Sequence, residues 1–425
     1  MAKKPSTGAF ASAGSPARLT SITKPEFAAR RTEVLKQLGG SVGVVFAGEG
    51  PDPRHGTWSP DAFFYYLCGI TGEQHAAILF DPSHEDETKR ITLFLRPLNP
   101  EADRWDSFRD GLSKSLRGEL GFSAIMRTGT LPDMLTSAAR RGRKLACLHP
   151  FGNYTAPVST DLLTFRKVQE RIPGVMIEDR TDILRQMRSR KSDAEIALTR
   201  HAIGITAAGL DAALRVLHPG SGESAVAGAI EHAYRIHGAH GPSGGVTAYN
   251  TIAGSGIRGT LLHYSANDGP TDAGDLMVID TGAQFAGYAA DITRTYPVSG
   301  TFTSEQRELY ELVLAAQAAS LKVAKPGATM TDVNNASREL FDKKGMLDHF
   351  WHGIGHHLGL QVHDTDPGTP LQPGHLITIE PGLYIPERKI GIRIEDDILI
   401  TRGGNENLSI EIPKSVKDVE AAMKG

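Results

Sequence analysis

The sequence predicts an α/β domain over residues 25–180, followed by an α+β domain over residues 181–425 in which one unit occurs twice, as an internal pseudo-twofold repeat. Three observations carry this prediction. The first part alternates helical stretches with short β-rich runs. A capping box, Ser192 with Glu195 three residues on, then opens a much longer amphipathic helix. The second part repeats itself: helices ending "LRVLHPG" and "LKVAKPG" are each followed by a further helix that closes at a glycine. Strand-like runs "GDLMVIDTG" and "GHLITIEPG" come after them. A chain of 425 residues is also too long for one ordinary domain.

Residues 1–24 include Lys3 and Lys4, but the run "GAFASAG" is too short and too weakly apolar for a secretory signal, so a flexible tail is expected there. "PEFAARRTEVLKQL" reads as a helix, and "SVGVVFAG", "HAAILFD", "ITLFLRP" and "KLACLHP" read as strands. Cys68 and Cys147 lie in apolar contexts and outside any CxxC pair, which suits small buried hydrophobes in a reducing compartment, the cytoplasm. The helix opened at Ser192 carries apolar Ile196, Ile203, Ala207, Leu210, Leu214 and Leu217 on one side. A second capping box, Thr303 with Gln306, opens its counterpart. If the two copies are related by a local twofold, equivalent strands meet and Asp280 and Glu380, at matching places, face one cleft. A formal net charge of −3 provides no basic field for nucleic acid. No apolar run approaches the roughly 20 residues of a membrane span.

Four acidic residues stand out by context. Asp280 ends "LMVID", Asp291 opens "DITRTYP", Glu380 ends "LITIE" and Glu395 lies within "GIRIEDDILI". A charge in such an apolar strand needs a partner. If the four converge, each pair about 4 Å apart repels by about 4 kcal/mol at an effective dielectric near 20. A fold stable by about 5–15 kcal/mol cannot absorb several such terms, so protons or cations must intervene. Two divalent cations balance four carboxylates, and a dinuclear site sets its metals about 3.5–4 Å apart. The stretch "HGIGHHLGLQVHD", residues 352–364, adds four histidines. One imidazole in an oxygen-rich site suits a mid-series divalent ion such as Mn or Co better than it suits structural zinc. His356 is the expected ligand, His352 and His363 are expected to line the same cleft, and His357 is expected to point elsewhere. Taken singly, each residue has an ordinary reading as a strand-end cap, a turn residue or a core histidine; their joint occurrence favours a metal site.

In order and identity the blocks "VIDTGA", "ADITRT", "HGIGHHLGLQVHD", "TIEPGLY" and "GIRIEDD" resemble the catalytic domain of the pita-bread-fold (creatinase/aminopeptidase-like) metallopeptidases, and within them the proline-specific branch of aminopeptidase P and prolidase. The resemblance runs from about Thr181 onward. It extends more weakly into the first domain, where "SPDAFFYYLCGITGEQHAAILF" and "RPLNPEADRWDSFRDG", with Trp105 and Arg109, are similar to the amino-terminal domain of aminopeptidase P. It implies that Asp280, Asp291 and Glu395 hold one divalent ion and that Asp291, His356, Glu380 and Glu395 hold a second, with Asp291 and Glu395 bridging. Manganese is expected, while cobalt or zinc can fill a similar cage.

The same resemblance implies that His263 in "LLHYSAN", together with His352 and His363, contacts substrate and stabilises the tetrahedral intermediate, and that Glu380 relays the proton. Arg393, two residues before Glu395 and so on the same strand face, matches an arginine at the substrate end of the cleft; an ion-pair role beside the ligands is the alternative. The implied activity is hydrolysis of the bond preceding proline by a metal-bridging hydroxide, releasing the first residue of an Xaa-Pro peptide. An Xaa-Pro dipeptidase is the alternative. A metal-free creatinase-like enzyme and a non-catalytic peptide-binding module are disfavoured by the intact ligand set. The "RWDSFRDG" block and the chain length favour the aminopeptidase. Residues 240–256, "HGPSGGVTAYNTIAGSG", are expected to line the cleft before His263. The expected partners are a peptide substrate and further copies of the chain, as a homo-oligomer of dimeric order, with no nucleic acid and no membrane.

Overall fold

The computed structural model describes residues 22–50, 57–99, 101 and 111–424. The expected tail, as far as residue 21, and the block holding Trp105 and Arg109 lie outside the described residues. Helix α1 (Lys24–Gln37) begins where the Thr23 hydroxyl accepts from the Glu26 N–H, and α2 (Ala62–Cys68) begins on the Asp61 carboxylate and stops at left-handed Gly69. Strands β1 (Val42–Phe46), β2 (Ala77–Phe80), β3 (Ile91–Leu95), β4 (Ala124–Arg127), β5 (Lys144–Cys147) and β6 (Met176–Asp179) form one mixed sheet in the order β4-β3-β2-β1-β5-β6. Helices α3 (Lys114–Leu120), α4 (Leu131–Gly142) and α5 (Thr160–Gln169) complete this half. The inner strands β1, β2 and β3 are largely apolar because both faces are covered. Val42 and Val44 go to one core with Leu135 and Phe165, whereas Val45 and Ala47 go to the other with Val34 and Phe64. The edge strands β4 and β6 carry little signal in the sequence: "AIMR" and "MIED" are four residues each and need bury only part of themselves. Cys68 and Cys147 are free and buried.

Helix α6 (Thr181–Ser189) joins the two halves; its Ile183 and Leu184 pack into the first core. Beyond it, α7 (Asp193–Val216) opens on the Ser192/Glu195 capping box and pairs with α8 (Glu223–Ile236). Strands β7 (Ile252–Ser255), β8 (Leu276–Thr281), β9 (Gln284–Phe285), β10 (Tyr288–Ala289) and β11 (Ile292–Pro297) follow. The second unit repeats this order with α9 (Ser304–Val323), opened by the Thr303/Gln306 box, and α10 (Met330–Lys343). It continues with β12 (Leu376–Ile379), β13 (Gly382–Ile385), β14 (Ile390–Arg393), β15 (Asp396–Thr401) and β16 (Gly404–Asn407), before α11 (Val416–Ala422) closes the chain. Among the described residues no helix is long and apolar enough to cross a membrane.

The repeat decides where the carboxylates fall. Strands β8 and β11 run antiparallel with Thr281 opposite Ile292, and β12 and β15 do the same with Ile379 opposite Asp396. Asp280 is the last residue but one of β8, and Glu380 directly follows β12. Asp291 directly precedes β11, and Glu395 directly precedes β15. All four acids therefore sit at the corresponding ends of two equivalent strand pairs. The Glu395 N–H donates to Thr293 O at 3.1 Å and holds the pairs edge to edge, above one core shared by both units.

A buried ion cluster fastens the second unit to the first. Arg294 of β11 donates from Nη2 to Asp396 Oδ1 at 2.7 Å, and Lys414 reaches the other oxygen of that carboxylate; the Arg294 and Asp396 side chains are fully buried. Burial opposes ionisation of Asp396, but Arg294 and Lys414 hold its carboxyl well below the usual range. The folded value lies below the unfolded one, so the stabilisation is complete above about pH 4 and is lost as pH falls further. Asp396→Asn should therefore lower the unfolding free energy at pH 7 by about 3–5 kcal/mol in urea titrations. The gap from the wild type should stay constant from pH 6 to 8 and narrow in strong acid; a gap independent of pH would refute this account.

Candidate metal centre and active site

Asp280, Asp291, His356, Glu380 and Glu395 line one cavity of about 570 Å³ together with His263, His352, His363 and Arg393. Asp291, His356 and Glu395 each offer a ligand atom within 4.8 Å of the other two. His356 Nε2 lies 3.4 Å from Asp291 Oδ2 and 3.6 Å from Glu380 Oε1. Its Nδ1 lies 3.1 Å from the His357 carbonyl, which can only accept, so Nδ1 carries a proton and Nε2 faces the carboxylates. The loop is pinned to β12 through His356 N–H to Thr378 Oγ1 at 3.1 Å and Thr378 N–H to His356 O at 2.9 Å. Gly355 permits this approach, since a Cβ there would stand 2.1 Å from Thr378 O. His357 turns the other way: its ring meets His375 at 5.1 Å, and its Nε2 lies 3.9 Å from Asp366.

The electrostatics are those of an overcharged acidic pocket. Burial, then Asp291 and Asp280, push the Glu380 carboxyl up to about 7 against the pull of His356 and Arg393. Glu395 is raised well above the carboxylate range by burial and by Asp291, Glu380 and Asp280. Asp291 is raised too, mainly by burial, although its hydrogen bond to His356 opposes this. Burial alone would lower His356, but Asp291 and Glu380 lift it to about 9. Four carboxylates and one imidazole with Nε2 directed inward make a donor set that fits divalent cations, whose charge relieves the repulsion these shifts report.

A second layer fixes the acids. The Tyr249 hydroxyl touches both Asp280 and Asp291, so one proton serves two carboxylates. Thr293 Oγ1 donates to Glu395 Oε2 at 2.6 Å, and Arg393 Nη2 donates to Asp280 Oδ2 at 2.6 Å. Arg393 thus lines the cavity and also pairs with an acid. Its Nη1 donates to Tyr384 Oη at 2.8 Å, and Tyr384 donates in turn to His352 Nε2 at 2.8 Å. Burial and Arg393 push His352 down to about 4, so it is neutral. His363 is lowered by burial and by His356, on whose ring it lies nearly parallel at 3.9 Å. Of residues 240–256, Tyr249, Asn250 and Ile252 line the cavity. Tyr249 and Tyr384 lie in stretches that the sequence singles out, residues 240–256 and "TIEPGLY", but nothing there marks either tyrosine as a partner of the acids or of Arg393.

Residues 27–146 match the family model of the aminopeptidase P N-terminal domain, and residues 197–402 match that of metallopeptidase family M24. The Xaa-Pro aminopeptidase of Escherichia coli (strain K12) is 34% identical over 447 residues, covering 95% of this chain and 99% of that protein. The Xaa-Pro dipeptidase of Pyrococcus horikoshii is 40% identical over 234 residues, 54% of this chain and 64% of that protein. The solved structure of proline aminopeptidase P II from Yersinia pestis is similar with a TM-score of 0.83 at 31% identity, covering 95% of this chain and 100% of its own. The chain belongs to the M24 metallopeptidases, with a pita-bread catalytic domain behind an aminopeptidase P type of N-terminal domain.

Proposed function

We propose that the protein is an Xaa-Pro aminopeptidase, which cleaves the bond before a proline in second position and releases the first residue. The observation that carries this reading is the meeting of four carboxylates and His356 in a cavity that Arg393, His263, His352 and His363 also line. The match to the Escherichia coli Xaa-Pro aminopeptidase extends through the N-terminal domain, whereas the match to the Xaa-Pro dipeptidase covers about half the chain, which favours the aminopeptidase. Two divalent ions held by Asp280, Asp291, His356, Glu380 and Glu395 would supply Lewis acidity and a water acidified toward neutral pH. The oxygen-rich donor set favours manganese; a relative is described as a Zn substituted Escherichia coli aminopeptidase P in complex with product, so zinc is a further candidate. Two free buried cysteines fit a reducing compartment, the cytoplasm.

Glu380 takes the proton of the attacking water and returns it to the departing nitrogen. Its partly exposed carboxylate, 3.8 Å from His352, is well placed for this. His263 and His363 donate to the oxygen on which charge develops. Because proline makes a tertiary amide without an N–H, the enzyme must recognise the ring by shape, and the His352 and Arg393 side of the cavity, braced from behind by the buried Tyr384 hydroxyl, provides a wall for it.

Glu380→Gln should reduce kcat by about 10²–10⁴-fold while leaving the fold intact by circular dichroism. Gly-Pro-Gly should release glycine faster than Gly-Pro does; turnover of the dipeptide alone would assign the dipeptidase instead. Metal uptake should depend on pH in a defined sense. Asp291 and Glu380 raise His356 to about 9, so it is protonated at pH 7; binding a cation must expel that proton, and affinity should strengthen from pH 6 to 8. Titration calorimetry in buffers of different ionisation enthalpy should record about one or more protons released per chain. Uptake without proton release would contradict the arrangement.

A further inference from the structure

Directly after His363, Asp364 turns away from the cavity into a closed group of charges. Its side chain is 1% exposed and meets those of Arg188, 2% exposed, and Lys191, 1% exposed. Arg188 Nη2 donates to Asp364 Oδ1 and, at 3.1 Å, to Gln361 Oε1. Lys191 Nζ donates to Asp364 Oδ2 at 3.1 Å and to the Arg188 carbonyl at 2.7 Å. Arg188 lies in the last turn of helix α6 and Lys191 precedes α7, so both cations sit at the joint between the two halves. The Arg188 guanidinium also lies over the ring of Phe63, 4.6 Å from its centroid, in helix α2 of the first half. One cluster therefore touches the first domain, the joint and the loop that carries His363.

That loop is closely confined. A Cβ on Gly359 would stand 2.0 Å from Asp364 Oδ2 and 2.8 Å from Lys191 Cε. Gly359 O accepts from Ala289 N–H at 2.9 Å, and Asp364 N–H donates to His357 O at 2.8 Å, closing the loop on itself. The closed loop presents the His363 ring flat against that of His356. Stability alone is a poor reason for the cluster. Two cations share one carboxylate, Arg188 Nε finds no partner among the described residues, and buried ion groups can often be replaced by apolar ones without loss.

We propose that Arg188, Lys191 and Asp364 are positioning residues, which clamp the first domain, the joint and the loop of residues 359–364 so that His363 is held at the angle the reacting carbonyl requires. The proposal rests on the reading of His363 as a group that stabilises the developing oxyanion. Such a donor works only within about half an ångström of its productive place, and a 1 Å error can cost about 100-fold in rate. On this view the first domain sets the rate of catalysis through Phe63 and Arg188, besides any part it has in shaping the cleft.

The test uses the full-length, metal-loaded chain and four variants: Arg188→Leu, Arg188→Lys, His363→Ala and the double variant Arg188→Leu/His363→Ala. Arg188→Leu should lower kcat about 10–100-fold on Gly-Pro-Gly with KM changed by less than about threefold, and Arg188→Lys should recover part of the loss. In the His363→Ala background, Arg188→Leu should cost less than about twofold more. An unchanged kcat in Arg188→Leu, or losses that multiply in the double variant, would overturn the proposal. A second readout needs no turnover. In zinc-loaded protein, which is diamagnetic, the His363 ring signal identified by its loss in His363→Ala should shift in Arg188→Leu and move back toward the wild type in Arg188→Lys. If the leucine variant does not fold, the lysine variant should still shift that signal, by less. A wild type that leaves Gly-Pro-Gly uncut counts against the proposed activity, whereas a ring signal unmoved in the variants counts against the clamp.

Discussion

The mutual repulsion of Asp280, Asp291, Glu380 and Glu395 is the constraint around which the second half of the chain is organised. Acids this close and this buried cannot all be ionised unaided, and Glu380, Glu395 and Asp291 are all displaced toward the protonated form. The protein offsets part of the charge itself, with Arg393 on Asp280 and His356 on Asp291 and Glu380. Tyr249 and Thr293 add hydrogen bonds to the carboxylates without adding charge. The negative charge they leave uncompensated is what divalent cations would balance. The acids can be kept at such cost because they sit at the ends of paired strands, whose ladders fix the backbone whether or not the side chains are at ease.

The same physics explains what was legible in the sequence. Asp280, Asp291, Glu380 and Glu395 could be found because they are misfits, charges in runs that otherwise read as buried strands. The repeat was legible because its punctuation is chemical: two capping boxes and two glycines, Gly238 and Gly345, with positive φ. Tyr249 and Tyr384 were not legible, since a tyrosine in an apolar run is no misfit and its hydroxyl acquires meaning only when another element brings an acid or an arginine to it. Strands β4 and β6 escaped for the opposite reason: on the sheet edge they bury too little to need an apolar pattern. Arg393 was expected to share a strand face with Glu395, but β14 ends at Arg393 and β15 begins only at Asp396, and the ion pair of Arg393 with Asp280 depends on β8, more than a hundred residues earlier in the chain.

The histidines of residues 352–364 show how far environment outweighs residue type. His356, between two acids, is lifted to about 9, whereas His352, buried beside Arg393, falls to about 4. His357, one residue from His356, is pushed to about 4 by burial and by Lys191 on the far side of the loop. Adjacent residues point to opposite sides of an extended segment, and this one is extended enough for His357 to bridge Ile377. Thus one short stretch furnishes a charged or ligating imidazole toward the cavity and a neutral one toward the core behind it.

This alternation has a structural corollary on the reverse side of the site. Glu395 faces the cavity, and its successor Asp396 faces backward into Arg294 and Lys414. His363 faces the cavity, and its successor Asp364 faces backward into Arg188 and Lys191. In both places a residue of the candidate site is followed by a buried acid fastened by two cations, one of them a buried arginine contributed by a different element. An ion pair buried in this way is a weak source of stability, but it is directional, and it resists the small rotations that an apolar contact would allow. Precision at the front of a strand or loop is thus secured by charges at its back, where they neither add to the crowded acidic pocket nor compete with it for cations.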